Sequence, residues 1–180
     1  AEFSYRKAIE LKPDYANAHS NLGNILSDLG KLEEAELSTR KAIKLNPDFE
    51  QAHSNLGNIL SGLGKLEEAE LSTRKAIELN PAFAKAHLNL GDILTDLGQL
   101  QEAELSTRKA LQLDPKNRSI QTNLISLLTI YKPEIISSSK LYIINEEFRN
   151  LNLCKKDNNI ITDIEAIQVY KNGLEIYRKY

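Results

Sequence analysis

ANAHSNLGNILSDLGKLEEAELSTRKAIKLNPDF, residues Ala16–Phe49, is the unit from which most of the chain is made. It returns at Glu50–Phe83 with changes only at Ala16/Glu50, Asn17/Gln51, Asp28/Gly62, Lys44/Glu78 and Asp48/Ala82, and more loosely at Ala84–Asn117. Self-similarity at this period is the signature of a stacked repeat. A single unit cannot bury its apolar face, so its neighbours complete the core.

Within the unit, Ala18, Leu22, Ile25, Leu26 and Leu29 fall on one face of a helix, and Asn17, Asn21, Asn24 and Asp28 on another. This spacing predicts an amphipathic helix over Ala16–Leu29, ended by the left-handed backbone that Gly30 allows. A second helix carries the stripe Leu32, Ala35, Thr39, Ala42 and Ile43. It should end within Lys44–Asn46, because Pro47 cannot continue it. A lone glycine inside a helix costs about 1 kcal/mol against alanine. Gly23 nevertheless recurs at one phase as Gly57 and Gly91, matched by Ala35, Ala69 and Ala103. Small residues at fixed phases on both helices point to a close backbone approach. Glu36–Arg40, Glu70–Arg74 and Glu104–Arg108 are i, i+4 pairs with the acid first. They read as a solvated face, each pair worth about 0.3–0.5 kcal/mol.

The N-L-G pattern at Asn21–Gly23, followed by Ala35, Ala42 and Pro47, resembles the tetratricopeptide repeat. The resemblance covers about Ala1–Leu128. It implies an all-α fold: a right-handed α-solenoid of antiparallel helix pairs, here with a helical C-terminal tail. Ala1–Pro13 aligns with Ala35–Pro47, and residues 1–15 form a partial repeat, second helix only. One side of that helix should be exposed and frayed. Full repeats occupy 16–49, 50–83 and 84–117, and 118–131 is the first helix of a degenerate repeat. Because the chain starts inside a repeat, it reads as a fragment of a longer protein.

The aromatic that closes each earlier unit (Tyr15, Phe49, Phe83) becomes Asn117, which suggests that the packing register changes there. Ile125, at the phase of Gly23, should push a close-packed partner away. Pro133 stops this helix. Residues 132–180 are richer in Ile, Asn, Ser and Tyr and form either a solvating tail or the start of a further domain. In them we expect a helix from Ser137–Ser139 through Leu151, a polar loop at Lys155–Asn159, and a last helix opened by a Thr162/Glu165 capping box.

Composition narrows the function. Lys and Arg number 23 against 25 Asp and Glu, a net charge of −2 over 180 residues. This is not the basic balance of a nucleic-acid binder. No apolar run is long enough to span a bilayer, and no signal peptide is visible. The single cysteine, Cys154, permits no intrachain disulfide or cysteine-based zinc cluster. It agrees with a reducing compartment, and a cytoplasmic location is expected. His19, His53 and His87 occur one per repeat. Packed helices lie about 8–10 Å apart and metal–nitrogen bonds are about 2 Å, so equivalent histidines cannot meet on one ion. They read as packing residues. There is no nucleophile elbow, phosphate loop or paired carboxylate outside the solvated faces. Cys154 stands beside Lys155 and Lys156 without a histidine. No catalytic residue, metal or cofactor is expected.

Asn21, Asn55, Asn89 and Asn123 share one phase in successive first helices, with Asn24, Asn58 and Asp92 one turn further on. An asparagine side chain both donates and accepts hydrogen bonds, so a row of them can hold an extended peptide backbone without reading its side chains. Asn21, Asn55, Asn89 and Asn123 resemble the asparagine ladder of O-linked N-acetylglucosamine transferase-type arrays, which implies that these four bind peptide on a concave face. Asn24, Asn58 and Asp92 on the same stripe are taken as peptide-binding with them. The alternative is that the asparagines of the N-L-G motif serve local packing. The clamp that chaperone-binding repeats use for a C-terminal carboxylate needs Lys and Arg on that face. Ser20, Asn24, Ser54, Asn58, Leu88 and Asp92 stand there instead, with only Lys85 basic. On the opposite side, Phe3, Leu37, Leu71 and Leu105 form an apolar row by helical-wheel arithmetic. Either the next repeat covers this row or, left exposed, Leu37, Leu71 and Leu105 offer a route to self-association.

The expected function is a non-enzymatic scaffold that binds an extended segment of a protein or peptide partner in a concave polar groove, without nucleic acid or membrane. The alternative is the substrate-recruiting region of a larger glycosyltransferase or sulfotransferase, whose catalytic domain lies beyond Tyr180.

Overall fold

The computed structural model describes residues 1–131, and the readings made on 132–180, including Cys154 and the Thr162/Glu165 box, lie outside the described residues. Among the described residues all regular structure is helical: α1 (Glu2–Leu11), α2 (Ala16–Asp28), α3 (Leu32–Leu45), α4 (Glu50–Gly62), α5 (Leu66–Leu79), α6 (Ala84–Asp96), α7 (Leu100–Leu113) and α8 (Arg118–Tyr131). The even-numbered helices are the first helices of the repeats, and α3, α5 and α7 are the second.

The first helix ends as the sequence predicts. Gly30, Gly64 and Gly98 have φ of 73°, 73° and 74°. With Gly30 left-handed, the Lys31 N–H donates to the Leu26 carbonyl and the Gly30 N–H to the Ser27 carbonyl, the paired bonds of a Schellman cap. The same turn follows α4 and α6. Each second helix ends at Leu45, Leu79 or Leu113, two residues before a proline.

A Cβ added to Gly57 would overlap the Thr73 hydroxyl and press on the Ala69 carbonyl oxygen. Gly23 stands in the same relation to Thr39 and Ala35, and Gly91 to Thr107 and Ala103. Ala35, Ala69 and Ala103 are fully buried, as are Thr39 and Thr73. The contact is therefore a helix–helix crossing at which backbone meets side chain directly. Thr73 and Thr107 donate to the carbonyls of Ala69 and Ala103, 2.8 Å each, so their hydroxyls remain satisfied in the crossing.

Two polar bonds recur with the repeat. Ser38, Ser72 and Ser106 each donate to the carbonyl of His19, His53 or His87 at 3.0 Å, tying second helix to first. Nε2 of His19, His53 and His87 lies 2.9, 2.8 and 3.0 Å from the carbonyl oxygens of Pro13, Pro47 and Pro81. A carbonyl only accepts, so these rings carry the proton on Nε2 and staple each repeat to the turn before it. At the fourth copy Gln121 Nε2 donates to Pro115 O at 2.8 Å in the same place. This gives the histidines the structural role expected of them.

The apolar core is modular. Leu22, Leu26 and Ala35 pack with Ile59 of the next repeat and with Tyr5 and Ile9 of α1. Leu56, Leu60 and Ala69 pack with Ile93, and Leu90, Leu94 and Ala103 with Leu127. Helix α1 has no buried residue, in keeping with an unpaired terminal helix. The change of register expected at Asn117 does not occur. Helix α8 starts at the phase of α6 and buries Ile120, Leu124 and Leu127 at the phases of Ala86, Leu90 and Ile93. Asn117 instead caps it: Oδ1 accepts from the backbone N–H groups of Ser119 and Ile120 at 3.1 and 3.4 Å. The second helix that Ile125 would displace is outside the described residues.

Successive first helices touch, α2 with α4 and α4 with α6, whereas the second helices mainly contact first helices. The second helices are instead linked by long side chains. Arg6 reaches Glu34, Arg40 reaches Glu68 and Arg74 reaches Glu102, at 3.1, 2.9 and 2.8 Å. Lys31–Glu2 and Lys65–Glu36 close the ladder at 3.3 and 2.8 Å. The i, i+4 pairs are thus one rail of a network running between repeats. Hydrogen bonding from Lys65 holds the Glu36 carboxyl below the ordinary range, burial opposes this, and Arg40 adds to it.

Replacing Gly57 with alanine tests the crossing. Helix propensity alone favours alanine by about 1 kcal/mol, yet the variant is expected to lose about 1–3 kcal/mol of stability through overpacking. Thr73→Ala in the same chain should restore part of the loss. Thermal and urea unfolding followed by helicity would read this, and a Gly57→Ala array as stable as wild type refutes the close approach.

Candidate functional site: the asparagine face of the first helices

Contact between successive first helices brings their polar stripes into one surface, and the seven predicted residues lie along it in distinct states. Asn21, Asn58 and Asp92 are exposed, Asn24, Asn89 and Asn123 are half-buried, and Asn55 is buried at 6% exposure. The four ladder asparagines are therefore not equivalent.

The difference comes from serine. Asn55 Nδ2 donates to Ser20 Oγ of the preceding first helix at 3.4 Å, and its Oδ1 accepts from Gln51 Nε2 at 2.9 Å. Asn89 Nδ2 donates to Ser54 Oγ at 3.2 Å and lies 3.4 Å from Ser54 O. Ser20 and Ser54 have no exposed surface. They do not line the groove, as the sequence suggested, but sit beneath it and receive the asparagines. In the third repeat this position is Leu88. Asn123 has no serine to meet and donates to Asp92 Oδ1 at 2.9 Å. Asn58 of the second repeat has become Asp92 in the third, so the lost acceptor and the gained one appear together. That paired change was the available sequence signal for this bond.

Asp92 is the titratable group of this face with a displaced pKa. Although the residue is exposed, partial desolvation of its carboxyl pushes it above the ordinary aspartate value, the hydrogen bond from Asn123 pulls it back, and Asp96 pushes it up again. Asn21, Asn24 and Asn58 have no hydrogen bond to another side chain among the described residues. Each amide presents two donors and an acceptor to whatever lies along the face. No group of three or more metal-ligating side chains occurs among the described residues. No described helix is long and apolar enough to cross a membrane.

A family model for the tetratricopeptide repeat matches residues 16–49, 50–83 and 84–117. The chain belongs to the tetratricopeptide repeat family. Among solved structures, the first tetratricopeptide domain of Spaghetti (RPAP3), bound to the HSP90 peptide SRMEEVD, is 25% identical with a TM-score of 0.61, covering 64% of this chain and 92% of that one. The second tetratricopeptide domain of human RPAP3, in complex with the HSP70 peptide SGPTIEEVD, is 28% identical with a TM-score of 0.58, covering 62% and 93%. A thermophilic tetratricopeptide protein of Thermus thermophilus has a TM-score of 0.68 at 20% identity, covering 84% and 89%, and shares the fold. No curated protein matches the sequence.

The serine contacts separate two kinds of asparagine in the array. Asn55→Ala should lower stability by about 1 kcal/mol, because it leaves the buried Ser20 hydroxyl without its partner. Asn58→Ala removes an exposed side chain and should stay within about 0.5 kcal/mol of wild type. Equal melting temperatures for the two variants would contradict the assignment.

Proposed function

We propose that this tetratricopeptide array is a non-enzymatic interaction scaffold that holds an extended segment of a partner protein along its first-helix face. Asn21, Asn24, Asn58, Asn89, Asp92 and Asn123 contact the segment, and Asn55 keeps the wall in register from behind. The observation that carries this reading is the run of amides with unused donors and acceptors on adjacent first helices. Such groups fit a peptide backbone, which offers one donor and one acceptor per residue. That structural neighbours in the same family were solved with peptides bound supports the peptide class of ligand.

Those peptides end in acidic residues, and here the corresponding stripe is amide and carboxylate with Lys85 as its basic residue. Asp92 repels a carboxylate, so the ligand on this face is an internal, uncharged stretch and not an acidic C-terminus. A cytoplasmic setting belongs to the same proposal. The recruiting region of a larger transferase would use the same surface and makes the same prediction for the variants below.

Peptides selected from a random display library on the wild-type array provide the test. They should bind Asn24→Ala/Asn58→Ala/Asp92→Ala at least about tenfold more weakly, as expected for the loss of two or three hydrogen bonds, with helicity retained and melting lowered no further than the lost Asn123–Asp92 bond accounts for. Undiminished binding removes the first-helix face as the site.

A second reading concerns the outer surface. Phe3, Leu37, Leu71 and Leu105 are 80%, 72%, 71% and 68% exposed. We propose that this row mediates self-association, since aligned apolar side chains on adjacent second helices favour a complementary apolar partner. Sedimentation should show a concentration-dependent mass for the wild type that falls to a monomer in Leu37→Lys/Leu71→Lys. A wild type that is monomeric throughout, or a variant of unchanged mass, ends this reading.

A further inference from the structure

An open cleft of about 490 Å³ lies on the outer side, between the second helices α3 and α5. Ile43, Leu56 and Leu60 supply apolar lining, and Leu71 lines it while remaining largely exposed. Arg40, Lys44, Lys75 and Glu68 line it as well; Arg40 is paired with Glu36 and Glu68 and Lys75 with Glu78, while Lys44 has no ion pair among the described residues.

The repeats provide an internal comparison. Shifting by one repeat, the position of Lys44 is Glu10 in the earlier copy and Glu78 in the later one. At the other three charged positions of the cleft, charge is kept: Arg6 and Arg74 match Arg40, Glu34 and Glu102 match Glu68, Lys41 and Lys109 match Lys75. The neighbouring inter-repeat surfaces therefore carry two cations and two carboxylates. The middle one carries Lys44 as an additional cation where its neighbours carry a carboxylate.

The substitution also breaks a local pair. Lys7 bonds Glu10 and Lys75 bonds Glu78, both at 2.8 Å. The corresponding Lys41 and Lys44 are like charges at i, i+3 with no ion pair among the described residues. Like charges so spaced on a helix repel, and an arriving anion relieves that repulsion. An apolar lining under a cationic rim fits an apolar side chain flanked by carboxylates.

We propose that the cleft between α3 and α5 is a docking site for a short acidic segment of a partner protein, with an apolar anchor against Ile43, Leu56 and Leu71 and a carboxylate on Lys44. The site is independent of the first-helix face and shares Leu71 with the outer leucine row, so it excludes self-association through that residue. It makes the middle of a nearly uniform array different from its flanks, so a partner bound here is held at one register along the repeats.

The probe is the fluorescein-labelled peptide EELFEE, with QQLFQQ as its uncharged counterpart, measured by polarisation on the whole 180-residue chain. Wild type should bind one EELFEE and bind QQLFQQ more weakly. Lys44→Glu, which installs the residue natural at positions 10 and 78, should weaken EELFEE about fivefold, as for one lost exposed ion pair. Glu78→Lys should create a second site between α5 and α7 and raise the stoichiometry to two. Asn24→Ala/Asn58→Ala/Asp92→Ala should bind EELFEE as wild type does, which separates this cleft from the first-helix face. Equal binding of the two peptides, unchanged affinity in Lys44→Glu, unchanged stoichiometry in Glu78→Lys, or loss of EELFEE binding in the asparagine variant overturns the proposal. Absence of binding to wild type, including occupation of the cleft by residues 132–180 or by a second copy, overturns it as well.

Discussion

The crossing of Gly57 over Thr73 and Ala69, repeated at Gly23 and Gly91, sets the distance between the two helices of every repeat. At that separation Ser38, Ser72 and Ser106 come within 3.0 Å of first-helix carbonyls. A side chain in place of the glycine would hold the helices apart, and these short bonds would not form. The cost of glycine in a helix is thus offset by packing that glycine alone permits. The position of each first helix, and with it the orientation of the asparagine stripe, depends on this contact.

Stacking then assigns opposite chemistry to the two sides. First helices touch one another, so their polar stripes merge into a surface of amides, part of which is consumed by Ser20 and Ser54. Second helices stand apart, and the space between them is crossed by Arg–Glu and Lys–Glu pairs with the leucine row outside. Exposed pairs of this kind contribute little individually. Their regularity has another effect: at the four charged positions that line each cleft between described second helices, cations and carboxylates are equal in number except where Lys44 stands. In an array of near-copies, a single unmatched residue is where positional specificity can arise.

The sequence by itself determined the helix pairs, their ends and their stacking. Period, glycine phase and proline position are local properties that each repeat states again, and helices ending at Asp28, Gly62 and Asp96 with left-handed glycines two residues later follow from them. Helical phase put the outer row off the core stripe, but that the neighbouring repeats leave Leu37, Leu71 and Leu105 uncovered was decided by the structure. The tertiary structure alone decided which members of a periodic set are equivalent. Asn55 and Asn89 meet serines thirty-five residues earlier, Asn123 meets Asp92, and Asn21 meets none of these. The i, i+4 ion pairs proved to be parts of a network between repeats, and Asn117 capped a helix where a change of register was expected. In each case the deciding partner lies on another helix or across a turn, and a one-dimensional period fixes only the phase within a helix. Which atom of the neighbouring repeat comes within about 3 Å, the reach of a hydrogen bond, depends on how the backbones approach, and that is settled by packing.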